Sequence, residues 1–130
     1  MGHSYRAFCR ECRSCFTVNE GGGFFFHLLH CDACGAERSI GFDEIGEPHP
    51  RYLKGLKGPY CVASSEHDRH VRESYPVEPM GEDDYHAAVE QICGTCDCGG
   101  TFRFDAPARC PECRAEYRSS GSEGTLIYYD

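Results

Sequence analysis

Residues 96 to 113 read Cys-Asp-Cys-Gly-Gly-Thr-Phe-Arg-Phe-Asp-Ala-Pro-Ala-Arg-Cys-Pro-Glu-Cys, and this stretch decides how the chain can fold. Two close cysteine pairs, Cys96/Cys98 and Cys110/Cys113, flank a short run with strand character. Each pair presents two sulfurs from one tight turn, and two such turns complete a tetrahedron of thiolates. Zn²⁺ prefers such a ligand set, with Zn–S distances of about 2.3 Å. The stretch therefore predicts a Zn(Cys)₄ site.

The N-terminal segment repeats this pattern with one cysteine to spare. Cys9, Cys12 and Cys15 crowd together, and a second pair follows at Cys31 and Cys34. An aromatic residue recurs four positions after the second cysteine of a pair: Phe16 after Cys12, Phe102 after Cys98, and Tyr117 after Cys113. This offset favours Cys9, Cys12, Cys31 and Cys34 as the first ligand set and leaves Cys15 free. The pair Cys12/Cys15 stays open as the alternative.

The C-terminal segment also offers three cysteines for two places. The glycines after Cys98 let the backbone curl beneath the sulfurs, which favours Cys96 with Cys98. Because a Cys-x-Cys pair is less common than Cys-x-x-Cys, Cys93 remains open as a substitute for Cys96. The second ligand set is then Cys96, Cys98, Cys110 and Cys113, and the chain is predicted to bind two Zn²⁺ ions.

The totals favour metal over disulfides. Eleven cysteines in 130 residues is a large excess, and they come mostly in close pairs. The opening residues have no apolar core typical of a secretory signal, and no run approaches the ~20 apolar residues of a membrane span. We therefore expect a metal-binding protein of the reducing cytoplasm. The formal charge of −8 disfavours broad contact with nucleic acid, because that affinity rests on neutralised phosphates.

Local patterns predict three strands in each end segment and helices between them. Strands are expected at residues 16–18, 24–29 and 37–42, and again at 101–104, 116–119 and 125–129. The last of these is expected to be the third strand of the C-terminal unit. Helices are expected at 51–56, 66–74 and 82–92. In the last helix an apolar face is predicted at Tyr85, Ala88, Val89 and Ile92, resting on a sheet.

Both ends resemble the zinc-ribbon or rubredoxin-like group, and residues 96–118 resemble ribbons of poorly characterised small bacterial proteins. The resemblance implies a small, metal-stabilised α+β fold with two β-hairpin ribbons joined by a short helical segment. We place the N-terminal ribbon at 1–42, an acidic helical connector at 43–92 and the C-terminal ribbon at 93–130. Rubredoxin carries iron and moves electrons, but it normally has glycine where this chain has Arg114. Zinc is therefore preferred over iron.

Other candidate ligands lack a supporting pattern. His27 and His30 lie in or beside the first ribbon, but four cysteines already suffice, so we expect ordinary packing or a hydrogen bond there. Cys61, His67, His70 and His86 lack a close cysteine pair to anchor a third site, and surface histidines are expected. A catalytic Cys61 has no nucleophile motif around it.

These observations predict a non-catalytic zinc protein that acts as a protein-interaction adaptor. Its aromatic run at 24–26 and the Tyr128-Tyr129 tail are candidate surfaces for a protein partner or for self-association. The alternative is a nucleic-acid-associated ribbon protein in transcription or translation, with a patch of arginines at positions 103, 109, 114 and 118. An enzyme is not favoured, because no acid–base set or open metal site is evident.

Overall fold

The computed structural model describes residues 2–61 and 64–118 together with the backbone of 126–129. The β-strands are β1 (Gly2–Phe8), β2 (Cys15–Glu20), β3 (Phe26–Cys31), β4 (Glu37–Gly41), β5 (Phe102–Arg103), β6 (Ala108–Arg109), β7 (Glu116–Tyr117) and β8 (Leu126–Tyr129). The helices are α1 (Phe42–Ile45), α2 (Pro48–Gly55), α3 (Ser65–Ser74) and α4 (Glu82–Cys93). This is a small α+β arrangement with short antiparallel sheets, as the sequence predicts.

The strands form two three-stranded sheets and one hairpin. The first sheet has the order β2-β1-β8, the second β4-β3-β5, and β6 pairs with β7. β1 was missing from the expected elements, although Tyr5 and Ala7 are buried and alternate with exposed Arg6 and Phe8, as a half-covered strand requires. β8 was expected to complete the C-terminal unit, but it pairs with β1 instead.

Two of these pairings join the N-terminal and C-terminal segments of the chain. β8 lies beside β1, and β5 lies beside β3 with Cys31 opposite Phe102. The two ends are therefore interleaved through their sheets, whereas the sequence predicts a ribbon closed within each end. The boundaries at 42/43 and 92/93 stay a prediction.

The larger apolar core lies between the second sheet and the helices. Leu29, Ile40, Tyr85 and Val89 are fully buried in it. α4 therefore rests on a sheet, as its apolar period predicts. The predicted face is shifted at its end: Ile92 is exposed and Cys93 takes the buried position. A position one residue further on lies 100° around the helix, and the sheet meets the helix on that side.

A second, smaller core lies between the first sheet and the β6–β7 hairpin. It contains Tyr5, Phe16, Val18 and Ala108, and Tyr117 packs against it. The rings of Phe16 and Tyr117 meet edge-on at a centroid distance of 5.6 Å. Of the three recurring aromatic residues, Phe16 and Tyr117 thus pack in or against this core, whereas Phe102 packs in the larger one.

Candidate metal centres

The eight cysteines chosen from the sequence converge in two groups of four, but their grouping differs from the expected one. The outer cysteine group consists of Cys9, Cys12, Cys110 and Cys113. The inner cysteine group consists of Cys31, Cys34, Cys96 and Cys98. Within each group all the sulfurs lie within 4.8 Å of one another. The sets predicted from sequence order, 9/12 with 31/34 and 96/98 with 110/113, are therefore wrong in their pairing.

The sulfur spacing fits one tetrahedral ion per group. In the outer group the Sγ atoms of Cys9 and Cys113 are 3.6 Å apart, and those of Cys12 and Cys110 are 3.4 Å apart. In the inner group the Cys31–Cys98 and Cys34–Cys96 distances are 3.4 and 3.6 Å. Four sulfurs at about 2.3 Å from a central Zn²⁺ lie about 3.8 Å from each other. All eleven cysteines are free thiols.

All four close pairs are built on the same turn. The residue after the second cysteine has a positive φ in each pair, at Arg13, Gly35, Gly99 and Arg114. Its N–H donates to the carbonyl oxygen of the first cysteine, at 2.8 to 3.0 Å in the four pairs. The N–H of that first cysteine donates in turn to Ser14, Ala36, Gly100 or Ala115. The Cys-x-Cys pair thus adopts the geometry of the Cys-x-x-Cys pairs with one residue fewer.

Glycines act at two positions where the turns approach other chain segments. A Cβ at Gly100 would lie 2.6 Å from Cys31 Sγ and 2.7 Å from the Ala33 side chain, so the inner group has room only for glycine there. A Cβ at Gly35 would lie 2.6 Å from Arg109 Cβ. Gly35 follows the inner cysteines and Arg109 precedes Cys110. The two centres are therefore in direct contact through these residues.

The thiols of the outer group differ in pKa because their hydrogen-bond partners differ. The Ser14 hydroxyl and N–H lower the pKa of Cys12 to about 6 by hydrogen bonding to its thiolate. The Ala115 N–H favours the thiolate of Cys113, but partial desolvation and hydrogen bonds with the other three thiols outweigh it and raise the pKa to about 12. Four adjacent thiolates repel one another, so a bound cation is what allows all four to ionise.

The inner group likewise contains one thiol with a lowered pKa and one with a raised pKa. Burial works against the Cys31 thiolate, but the N–H groups of Cys34 and Ala33 lower its pKa to about 7. The Ala36 N–H favours the Cys34 thiolate, yet burial and the neighbouring thiols raise its pKa to about 12. Both groups of four cysteines are thus compatible with structural metal binding.

The spare cysteines lie outside both groups. Cys15 is exposed on β2, and Cys93 is buried at the end of α4, where burial raises the pKa of its thiol. Cys61 lies 3.1 Å from the Ser64 hydroxyl. Neither of the two four-cysteine groups includes these residues or His67, His70 and His86.

The histidines of the second sheet pack in the core. His27 Nε2 lies 2.8 Å from the Tyr85 hydroxyl, and His49 Nδ1 lies 2.8 Å from the same oxygen. Burial lowers the pKa of both imidazoles to about 4, so both are neutral. This His27–Tyr85–His49 network agrees with the packing interpretation of His27. His49 was not singled out in the sequence, because His-Pro within Pro-His-Pro suggests only a turn.

Of the helices in ranges 2–61 and 64–118, none has both the length and the apolar character that a membrane crossing requires.

Comparison with known proteins matches the chain to a protein family. Neither the curated proteins nor the solved structures contain a match to the chain. A family model described as "Domain of unknown function (DUF8255)" matches residues 5–119. That range contains both cysteine groups and all the described elements apart from β8 and the first three residues of β1. Because the match covers most of the sequence, the chain belongs to the DUF8255 family.

Proposed function

We propose that this chain is a non-catalytic protein with two structural Zn(Cys)₄ sites, acting as a protein-interaction adaptor. The observation that supports zinc binding is the convergence of cysteines from distant parts of the chain into two complete sets of four. Four thiols fill the coordination sphere of Zn²⁺ and leave no position for a water or a substrate. Such closed sites are typical of structural rather than catalytic zinc.

Each proposed zinc ion would fasten the N-terminal segment to the C-terminal one. The outer site joins Cys9 and Cys12 to Cys110 and Cys113, and the inner site joins two pairs in the same manner. Zinc is preferred over iron because the ligand turns depart from the rubredoxin pattern at Arg114 and at the Cys-x-Cys pair. A reducing cytoplasm, which keeps the thiols free to bind metal, is part of this proposal.

Native mass spectrometry combined with elemental analysis tests the metal content. Protein purified aerobically from zinc-replete cells is expected to carry two Zn²⁺ ions per chain and to lose both, with its folded structure, on chelation. A red, iron-loaded protein would replace zinc with a rubredoxin-like centre. A stoichiometry of one metal per chain would contradict the proposal.

The adaptor part rests on the aromatic segment Phe24–Phe26, which precedes and begins β3. Phe25 is 71% exposed, although its backbone is held by a hydrogen bond from the Phe42 N–H to the Phe25 carbonyl oxygen. An anchored backbone with an exposed ring loses little entropy on binding, and aromatic residues are enriched at the centres of protein interfaces. We propose that this segment contacts a protein partner. The other aromatic candidates, Tyr128 and Tyr129, have side chains outside the described residues.

The charges around the arginine patch weigh against the nucleic-acid alternative. Arg103 pairs with Asp105 at 3.0 Å, and Arg109 pairs with Glu116 at 3.3 Å. The Arg118 guanidinium lies 3.9 Å from the same Glu116. Carboxylates therefore offset three of the four arginines before any phosphate approaches, on a chain whose formal charge is already −8.

Light scattering after size exclusion and pull-down with wild type and Phe25→Ser separates these cases. We expect the wild type to capture a protein that Phe25→Ser does not, with zinc content unchanged in the variant. Tyr75→Ser, which removes another exposed aromatic side chain, is the matched control. A strict monomer that binds a defined nucleic acid at physiological salt with sub-micromolar affinity would overturn the adaptor proposal.

A further inference from the structure

A cleft of about 510 Å³ lies between the two cysteine groups, on the face where they touch. One wall is β2, with Phe16 and Val18. Ala108 and Arg109 from β6 also line the cleft, together with His30 and Glu37. The cleft is therefore built from segments that the two cysteine groups hold together, and Cys34 of the inner group also lines it.

Two buried nitrogen atoms in this cleft have no hydrogen-bond partner. His30 is 7% exposed, and its Nε2 makes no hydrogen bond. The nearest carboxylate oxygen, Glu37 Oε1, is 3.8 Å away, which is too long for a hydrogen bond. Leaving a buried polar group without a hydrogen bond destabilises the fold, so such atoms call for a partner.

The second such atom is Arg109 Nε. The other two guanidinium nitrogens are engaged, since Nη1 donates to the Arg114 carbonyl oxygen and Nη2 to Glu116 Oε1. Nε is therefore the one nitrogen of this guanidinium that makes no hydrogen bond, while the bonds at the other two nitrogens fix the orientation of the group. A fixed cationic donor and an imidazole nitrogen that line the same cleft favour a bound acceptor.

The charged and apolar residues that line the cleft indicate which class of acceptor it would bind. Arg109 Nε can donate a hydrogen bond to an anion, but Glu116 already offsets the charge of this arginine, and the Glu37 carboxylate lines the same cleft, held by the N–H and the Nδ2 of Asn19. A dianion such as phosphate meets more repulsion there than a singly charged group. The apolar side chains of Phe16, Val18 and Ala108 suit a compact apolar body on the ligand.

From this geometry we propose that the cleft binds a small monocarboxylate, with its oxygens accepting hydrogen bonds from His30 Nε2 and Arg109 Nε and its apolar part against β2. A neutral imidazole with its proton on Nε2 is sufficient for this contact. The site is independent of which metal the cysteines hold, so it stands or falls separately from the zinc proposal.

Benzoate is the probe, added to the metal-loaded full chain at about pH 7.5, where carboxylates are fully ionised. Binding is followed by calorimetry and by ¹⁵N–¹H spectra of the imidazole and guanidinium groups. We expect a millimolar dissociation constant, as befits a fragment of this size. Benzamide, which has the same shape without the charge, is expected to bind at least about tenfold more weakly, and the His30 and Arg109 signals are expected to shift only with benzoate.

Two variants with opposite expected effects make the test robust. Arg109→Gln is expected to weaken benzoate binding at least about tenfold, whereas Arg118→Gln, an exposed arginine on the same hairpin, leaves it unchanged. Glu37→Gln removes the repelling charge but keeps an oxygen for Asn19, and it is expected to tighten binding several-fold. If Arg109→Gln loses metal, the Glu37→Gln result decides.

Three outcomes would overturn the proposal. Equal binding of benzamide and benzoate would mean that only the apolar walls of the cleft contribute to binding. Inorganic phosphate binding more tightly than benzoate would assign the cleft to another anion. An absence of benzoate shifts at the two side chains in the wild type would mean that only water satisfies these nitrogens.

Discussion

The two cysteine groups share one turn geometry but differ in what surrounds them. The inner group adjoins the larger core, where α4 covers the sheet and Tyr85 and Val89 are fully buried. The outer group adjoins the smaller core between the first sheet and the β6–β7 hairpin, and both Cys12 and Cys113 are exposed. A core of this size cannot stabilise a fold alone. If each group binds metal as proposed, the half of the molecule around the outer group would depend more on its ion.

The comparison also shows that equivalent ligand turns do not determine which turns combine. Four similar turns are arranged so that the first in sequence meets the last and the second meets the third. Strand pairing makes that choice, since β3 pairs with β5 and thereby aligns the two inner turns. The predictions below test this arrangement and the difference between the two centres.

The largest effect is expected from removing two ligands at once. Cys9→Ser combined with Cys110→Ser removes ligands from the outer group alone, so we expect one zinc to remain. Cys9→Ser combined with Cys31→Ser removes a ligand from each group and is expected to abolish both sites and the fold. Native mass spectrometry gives the stoichiometry. The reverse result, with one zinc retained in the second pair only, would restore the grouping by sequence order.

The contact between the centres is tested by Gly35→Ala. Its φ of +77° disfavours a side chain, and a Cβ would meet Arg109 at 2.6 to 2.9 Å. Gly94, with a φ of +74° and open space around it, is the matched control. We expect Gly94→Ala to lower the free energy of unfolding by about 1 kcal/mol and Gly35→Ala by about 2–4 kcal/mol. Equal losses in denaturant titrations would mean that the close contact carries no energy.

The larger core is tested through its buried polar network. Tyr85→Phe removes the hydroxyl shared by His27 and His49 and leaves two buried imidazole nitrogens without it. We expect a loss of about 1–3 kcal/mol in the free energy of unfolding. Tyr75→Phe, at a 42% exposed position, is the control and should change little. If Tyr85→Phe leaves the free energy of unfolding unchanged, water or a new rotamer satisfies the imidazole nitrogens.

The same network gives the larger core a pH dependence. Because burial lowers the pKa of His27 and His49 to about 4, the unfolded chain binds more protons than the folded one between about pH 6.5 and pH 4. The stability is fully present above pH 6.5 and declines as the pH falls through this window. Replacing His49 with Gln should make the decline shallower by about 1–2 kcal/mol between pH 7 and pH 5.

Denaturant titrations of wild type and His49→Gln across this range measure the difference. Metal release at low pH affects both proteins alike, and elemental analysis at each pH verifies this. Parallel curves for the two proteins would show that His49 does not titrate differently on folding.

The smallest effect is expected at the spare thiol of the outer region. Cys15 is exposed and lies outside both groups, so Cys15→Ser should leave two zinc ions bound and change stability by less than about 0.5 kcal/mol. Cys12→Ser, three residues earlier, should lose the outer metal. Loss of zinc in Cys15→Ser would make Cys12 and Cys15 the first pair of ligands.

Local features of the fold could be predicted from the sequence because they depend on short-range patterns. The apolar period from Tyr85 to Val89 places α4 on a sheet, and the aromatic offset after Cys12 selects the turn at Cys9 rather than the one at Cys15. The partner of each turn could not be predicted in this way. It depends on β1 and β5, which are short or weakly apolar and pair with strands distant in sequence.

The His27–Tyr85–His49 network could not be predicted from the sequence for a similar reason. Nothing near His49 in the sequence reports that it will meet His27 and Tyr85, residues far from it along the chain. The unpartnered nitrogens of His30 and Arg109 are likewise a product of tertiary packing. Residue type and spacing identify the sulfur ligands, whereas charge and hydrogen-bond balance in the interior require the assembled structure.

The nested order of the cysteine groups has a consequence for assembly. Cys9 and Cys113 are separated by 104 residues, whereas Cys31 and Cys98 are separated by 67. Once the inner site closes, the path between the outer turns shortens to roughly 30 residues, which lowers the entropy cost of closing it by about 1 kcal/mol. At a synthesis rate of about 5–20 residues per second, the inner ligands also emerge as a complete set first. In the proposed two-zinc protein the inner site would therefore load first and bring the outer ligands closer together.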